Sequence, residues 1–364
     1  MISVINKYLI KQYLFYLLMT VVTVAVVLFI FDFIELTRIT TSKNVPMDKV
    51  FIMSLQKNPM HLQKVFGFLI LIASMLTYIR LSKSSELVIL KASGLSVYQY
   101  LISVVLCTLV VGVAYVSAVN PATSILTAKY MKNEASYLKG NPSLLAVSKT
   151  GLWVKQSNDN GEESIIHALR IGKEQRQLHE VTFYFLDSNK NFIKRLDADI
   201  AKFSDGIWQV YNARQTSEDF LNEDVGYVEI RTNITFEQIQ ESLISPESLS
   251  FWKLPNFISI AENSGLSAAK HKLYFYRLLI SPIFFVAMIL LGAAFFMMPS
   301  RLSKGNIMII SPLMIGFFIY FFSDLIFAFA ASGEIPIWLG AISPTLLSLV
   351  ISVLLLLHFE EIKS

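Results

Sequence analysis

Five basic residues, Arg38, Lys43, Lys49, Lys57 and Lys64, follow closely on an uncharged run from Gln12 to Phe31. Cations gathered beside apolar sequence are suited to holding an anionic ligand. Residues suited to covalent or metal chemistry are sparse. Cys107 is the one cysteine, and in its long apolar run it reads as a small packed residue rather than a nucleophile or metal ligand. His167 and His179 stand isolated, and no H-E-x-x-H, G-x-S-x-G or paired-cysteine spacing occurs. The only Gly-Lys pair, Gly172-Lys173, is followed by Glu174, so no G-x-x-x-x-G-K-[ST] loop is present to cradle a nucleotide. No catalytic residue, metal ligand or cofactor is expected in this chain.

The elements that must position the cations are membrane helices. Of 364 residues, 54% are hydrophobic and 16% charged, against roughly 25% charged in a soluble domain. Residues 129–270 hold 16 basic and 19 acidic residues, leaving 15 basic and 8 acidic elsewhere. The polar segment is thus mildly acidic, which excludes a basic nucleic-acid-binding domain. A spanning helix needs about 20 apolar residues. Six runs qualify: Gln12 to Phe31, Val65 to Ile79 with Pro59 to Leu62 before it, part of Ala92 to Ala128, Leu278 to Met298, Ile307 to Ala331 and Ile335 to Leu357. The first has no small-residue cleavage site after it and reads as an anchor, not a signal peptide. Pro282, Pro312 and Pro344 lie near the starts of the last three, where neighbouring helices compensate the lost bonds.

Three spans on each side of residues 129–270 put both termini on one face and the polar segment on the other. Lys7, Lys11, Arg80, Lys83, Lys91, Arg301, Lys304 and Lys363 fall on the terminal face, which the positive-inside rule makes cytoplasmic. The five cations of the first loop then sit outside, against that rule, and an anionic ligand is one reason for them. Within residues 150–235, Val181 to Phe185, Phe192 to Leu196, Ile207 to Tyr211 and Tyr227 to Thr232 alternate with period two between polar turns. Such alternation predicts antiparallel strands in a sandwich, whose open edge is able to receive a strand from another protein. Leu254 to Lys270 reads as a connector holding a short helix, capped by Asn256 and ended by Gly265, or as a plain linker.

Between the second and third spans, Arg80 to Gln99 encodes a short helix at the inner face. Ser84, Ser85 and Glu86 suit its first turn, Lys91 its last and Gly94 its C-terminal cap, and Ser96 with Gln99 forms a capping box for the third span. The spacing fits equally a docking helix for a nucleotide-binding partner and an ordinary interfacial helix. Ser84-Ser85-Glu86-Leu87 with Ala92-Ser93-Gly94 resembles the signature of the LptF/LptG permeases, the membrane subunits of the lipopolysaccharide-export ABC transporter. Gly151 to Lys155, Ala201 to Phe203 and Gly206 to Trp208 look more like LptG-type chains than LptF-type ones.

The resemblance implies an α-helical membrane protein with six transmembrane helices and an inserted all-β, jellyroll-like extracytoplasmic domain. It divides the chain into residues 1–128 with a coupling helix at about 84–93, a β-domain at 129–253, a connector at 254–270 and three helices at 271–364. It implies a bacterial inner-membrane permease partnered by an LptF-like sister subunit, two copies of an LptB-like ATPase that bind ATP and Mg, a single-span LptC-like protein and a periplasmic bridge. Glu86, with Ser85, Leu87 and Gly94, would couple to the ATPase. Lys129 and Lys132 match basic positions suited to the substrate's phosphates and Arg38 falls near another, although Asp32 and Glu35 partly neutralise the first helix, a departure from the family pattern. Asp324, inside the fifth span, matches an acidic position, and a pair with Arg38 or an outer lysine would join the first and fifth helices as a gate. Phe295, Phe296, Phe317, Phe318, Phe321 and Phe322 would supply surface for acyl chains or face bulk lipid. Two other readings compete: a lipoprotein-releasing ABC permease, whose large domain generally follows the first span, and a membrane receptor or scaffold with a β ligand-binding domain.

Overall fold

Long uncharged runs become helices in a bilayer because hydrocarbon offers backbone N–H and C=O groups no other partner. The computed structural model describes residues 2–43, 45–84, 97–138, 152–157, 163–171, 177–187, 191–204, 206–217, 222–232, 245–263, 268–297 and 307–361. Among these are six spans, within Val4–Lys43, Met47–Ser82, Leu101–Tyr137, Ala269–Phe295, Ile309–Ser332 and Ile337–His358. Each of the six apolar runs read from the sequence overlaps one of them. Helices α1 (Ile2–Thr40) and α2 (Met47–Lys83) contain 39 and 37 residues. At about 1.5 Å per residue each is far longer than the roughly 30 Å of hydrocarbon, so both continue beyond the apolar segments.

The third span is built from two helices joined without a break. Helix α3 (Val97–Ala114) passes through a π-helical turn, Tyr115–Val119, into α4 (Asn120–Tyr137). Pro121 explains the irregular turn, because it has no N–H to give to the carbonyl four residues back, that of Ser117, and its ring crowds that oxygen. On the other side of the β-region come α5 (Leu254–Asn263), α6 (Ala269–Met297), α7 (Ile307–Ser332) and α8 (Ile337–Glu361).

Helix α6 is the centre of the bundle, packing against α2, α3, α7 and α8. Its Leu273, Ala287, Ile289, Leu291 and Ala294 are fully buried. Close approach depends on small residues, as expected where lipid supplies little drive for association. A Cβ on Gly292 would collide with Ser74 Oγ of α2, and one on Gly316 of α7 with a methyl of Leu71. Hydrogen bonds add to the packing: Ser352 of α8 donates to the Ala287 carbonyl of α6 at 2.8 Å, and Asn58 of α2 to the Ala25 carbonyl of α1 at 2.8 Å.

Between α4 and α5 the described strands form one six-stranded antiparallel sheet in sequential order, β1 (Leu152–Ser157), β2 (Glu163–Ile171), β3 (Gln177–Leu186), β4 (Phe192–Ser204), β5 (Ile207–Ser217) and β6 (Glu223–Arg231). The inserted antiparallel β-domain expected from the alternation is present, and among the described residues its strands pair in sequential order. Its buried face carries Phe183, Leu196, Trp208 and Val210. The alternation slips by one in three neighbouring strands: buried positions run Leu178 then Val181 in β3, Ala198 then Ala201 in β4, and Val210 then Ala213 in β5. Glu180 and Asn212, at φ 54° each, take up the extra residue in β3 and β5, and Gly226 in β6 lies at φ 69°. The irregularities line up in neighbouring strands and crease this part of the sheet: β3, β4 and β5 keep register through it, and the extra residue of β5 is a bulge against β6.

The return to the membrane starts at a 3₁₀ turn, Pro246–Ser248, and leads into α5. Leu254, Phe257, Ile258 and Ala261 are buried at helical spacing, which fixes α5 on the bundle. Asn256 is inside this helix and does not cap it; the helix is begun by Ser250, whose carbonyl accepts from the Leu254 and Lys253 amides. Gly265 lies outside the described residues.

Candidate substrate site at the sheet-side ends of the helices

Because α1 runs toward the sheet side, α2 away and α3–α4 toward it again, the C-termini of α1 and α4 and the N-terminus of α2 share one end of the bundle. Two bonds tie them there: Lys43 donates to the Leu138 carbonyl, and Asn133 of α4 donates to Gln56 of α2 at 2.9 Å. The charges singled out in the sequence collect at this end, in three separate arrangements.

The first is a neutralised cluster between α1 and α2. Lys57 Nζ lies 2.9 Å from Asp32 Oδ1 and 2.9 Å from Glu35 Oε2, and His61 Nε2 is 3.4 Å from Asp32. Asp32 and Glu35 thus spend their charge on a lysine of the next helix. Arg38, exposed on the last turn of α1, is outside this cluster.

The second is a groove of about 440 Å³ between α4 and the segment returning from the sheet. Lys129 and Lys132, three positions apart on α4, share one face of it. Lys253 of the returning segment lines it too, and Pro121, Ile125, Ala128 and Leu249 make its apolar floor. Among the described residues, none of the three lysines is paired with a carboxylate, in contrast to Lys57, Lys272 and Arg277. The returning segment is held against α4 by polar bonds. Trp252 Nε1 donates to the Ser117 carbonyl at 3.1 Å, the acceptor that Pro121 leaves without its α-helical donor. The Phe251 amide donates to Asn120 Oδ1 at 2.7 Å, and Asn120 Nδ2 donates to Tyr274 of α6 at 3.1 Å. Asn120 is fully buried.

The third lies within the bundle, a small cleft of about 110 Å³ walled by α2, α6, α7 and α8. Arg277 of α6 stands at its rim, its guanidinium over the Phe327 ring at 5.1 Å and 3.8 Å from Asp324 Oδ1. Asp324 therefore pairs with α6 and not with Arg38 or a lysine of the outer set. The reason is packing: α7 is a neighbour of α6, while the first span is not among its principal contacts. Arg277 escaped sequence analysis because it sits immediately before the uncharged run that starts at Leu278.

The structure brings Lys129 and Lys132 together and adds Lys253, while Arg38 and Asp324 belong to other surroundings. Lys253 was missed because 120 residues of sequence separate it from Lys132; the aromatic-cationic string Phe251-Trp252-Lys253 ahead of a helix was the available signal. Ser85, Glu86, Leu87 and Gly94 lie outside the described residues, as does the side chain of Phe296. Phe295 is buried in the bundle, whereas Phe317, Phe318, Phe321 and Phe322 face outward from α7. No group of three or more metal-ligating side chains occurs among the described residues.

Comparison with known proteins places this geometry. The chain is 22% identical over 355 residues to the lipopolysaccharide export system permease protein LptG of Haemophilus influenzae, covering 96% of this chain and 97% of that one. It is 25% identical over 314 residues to the LptG protein of Escherichia coli strain K12, covering 82% and 83% of the two chains. The family described as lipopolysaccharide export system permease LptF/LptG is matched over residues 7–358. That stretch takes in all six spans, the sheet and the lysine groove, and the chain belongs to the LptF/LptG family of lipopolysaccharide export system permeases.

Proposed function

We propose that this permease subunit draws lipopolysaccharide from the inner membrane and passes it toward a periplasmic relay, its phosphates held by Lys129 and Lys132, with Arg38 on the last turn of α1 a further cation outside their groove. The groove is the observation that carries the reading: two neighbouring cations that, among the described residues, have no carboxylate partner, above an apolar floor, at the end of a membrane helix. A phosphorylated glycolipid presents the complementary surface, anionic at the head and apolar in the body. The lipoprotein-releasing alternative would put the large domain after the first span, whereas here the strands follow the third.

Energy comes in this reading from two copies of a cytoplasmic ATPase that bind ATP and Mg, engaged through Glu86 with Ser85, Leu87 and Gly94. The termini are then cytoplasmic and the sheet periplasmic, where an LptC-like protein and the bridge receive the lipid. Helices α1 and α7 offer the surface for the LptF-like sister subunit, since their apolar windows are only 11% and 17% buried within this chain. The Arg277–Asp324 pair would hold α7 to α6 during transport. Photocrosslinking tests the site: a photoreactive residue at Lys129 or Lys132 is expected to capture lipopolysaccharide in membranes, and capture only at lipid-facing control positions would refute the assignment.

A further inference from the structure

We propose that Lys253 completes an anion site with Lys129 and Lys132, and that a lipid phosphate held there clamps the returning segment Ser245–Lys253 to the third span. The inference rests on the substrate reading above and extends it from holding a ligand to fixing the segment that carries the sheet. Three cations line one groove, two on α4 and one on the opposing segment. Without an anion they repel one another across the groove, and the carboxylates that neutralise Lys57, Lys272 and Arg277 elsewhere have no counterpart here among the described residues. The segment stays docked through the Trp252 bond to Ser117 and the Phe251 bond to Asn120. A phosphate between Lys253 and the α4 lysines reverses the sign of that repulsion, so occupancy tightens a contact that is otherwise opposed.

The floor of Pro121, Ile125, Ala128 and Leu249 favours a lipid phosphate over a free one. Trp252 agrees, because it is 64% exposed beside the groove with its N–H already satisfied, the posture of an indole at a membrane interface. The segment is therefore expected to be held most firmly to α4 when the lipid is present, and to loosen when it leaves.

Hydrogen–deuterium exchange in residues 245–253 of the permease complex in nanodiscs tests this, with a bisphosphorylated lipid A, its dephosphorylated counterpart and inorganic phosphate as probes. The phosphorylated lipid is expected to slow exchange there in the unmodified protein and in Lys253→Arg, whereas Lys253→Gln removes the protection and weakens binding by about tenfold. Unchanged affinity and protection in Lys253→Gln, with binding impaired in Lys129→Gln/Lys132→Gln, overturns this inference and leaves the substrate reading standing. Equal binding of the phosphorylated and dephosphorylated lipids by the unmodified complex removes the substrate reading and this inference together. Protection by inorganic phosphate alone overturns the lipid assignment.

Discussion

A lysine next to a membrane is worth little until its neighbours are known. Lys57 and Lys129 are alike in the sequence, yet the first is enclosed by Asp32 and Glu35 and the second opens on an apolar groove. The difference predicts opposite behaviour. Lys57→Gln leaves Asp32, whose side chain is 7% exposed, without its cation, and is expected to lower stability by about 3 kcal/mol in thermal unfolding of the purified complex. Adding Asp32→Asn should restore most of the loss, and two independent, additive losses would show that the pair is not coupled. Lys129→Gln should leave the unfolding temperature within a degree or two while reducing lipid capture, since an exposed cation unpaired among the described residues contributes little to the fold.

Elements depart from their sequence patterns where a local rule breaks and a neighbour repairs it. The six spans were legible because hydrophobic length is decisive in a bilayer, and the strands because alternation is. The overshoot of α1 and α2 was not: an uncharged-run criterion stops at Asp32, while α1 continues to Thr40 with Asp32 paired to Lys57 of α2. The crease in the sheet was equally hidden, since a period-two template loses its phase at Glu180 and Asn212 and treats one bent strand as two weak ones. Asn212→Val should cost about 1–2 kcal/mol, because a β-branched residue resists positive φ, while Asn212→Gly should be tolerated. Thermal unfolding of the two variants separates them, and equal stability would deny the bulge its role. Pro121→Ala restores a donor for the Ser117 carbonyl, so the turn should relax toward a regular helix at the expense of the Trp252 bond. Faster amide exchange in residues 245–253 is the expected sign of it.

On the scale of the whole molecule, sequence resemblance and packing supply different halves of the account. Family membership, and with it the class of cargo, was readable from the Ser84 to Leu87 and Ala92 to Gly94 strings. The companions of each charge were not, because Lys253 joins Lys132, and Arg277 joins Asp324, only after long stretches of chain have folded. One whole-complex prediction concerns energy supply. Under the coupling proposed above, Glu86→Lys should reduce the amount of ATPase recovered with this chain and lower ATP hydrolysis severalfold, and unaltered assembly and hydrolysis would place the coupling contact elsewhere.

The irregular turn before Pro121 has a genetic consequence as well. The acceptor it exposes is a main-chain oxygen, so the side chain at Ser117 is spare as far as that joint is concerned; its hydroxyl bonds back to Val113 instead. Scanning residues one at a time would therefore find position 117 tolerant and position 121, four residues along and outside the Trp252 bond itself, sensitive. On the helix side, the Trp252 contact is recorded in the chain by a missing hydrogen at position 121 rather than by the side chain of the residue that accepts it.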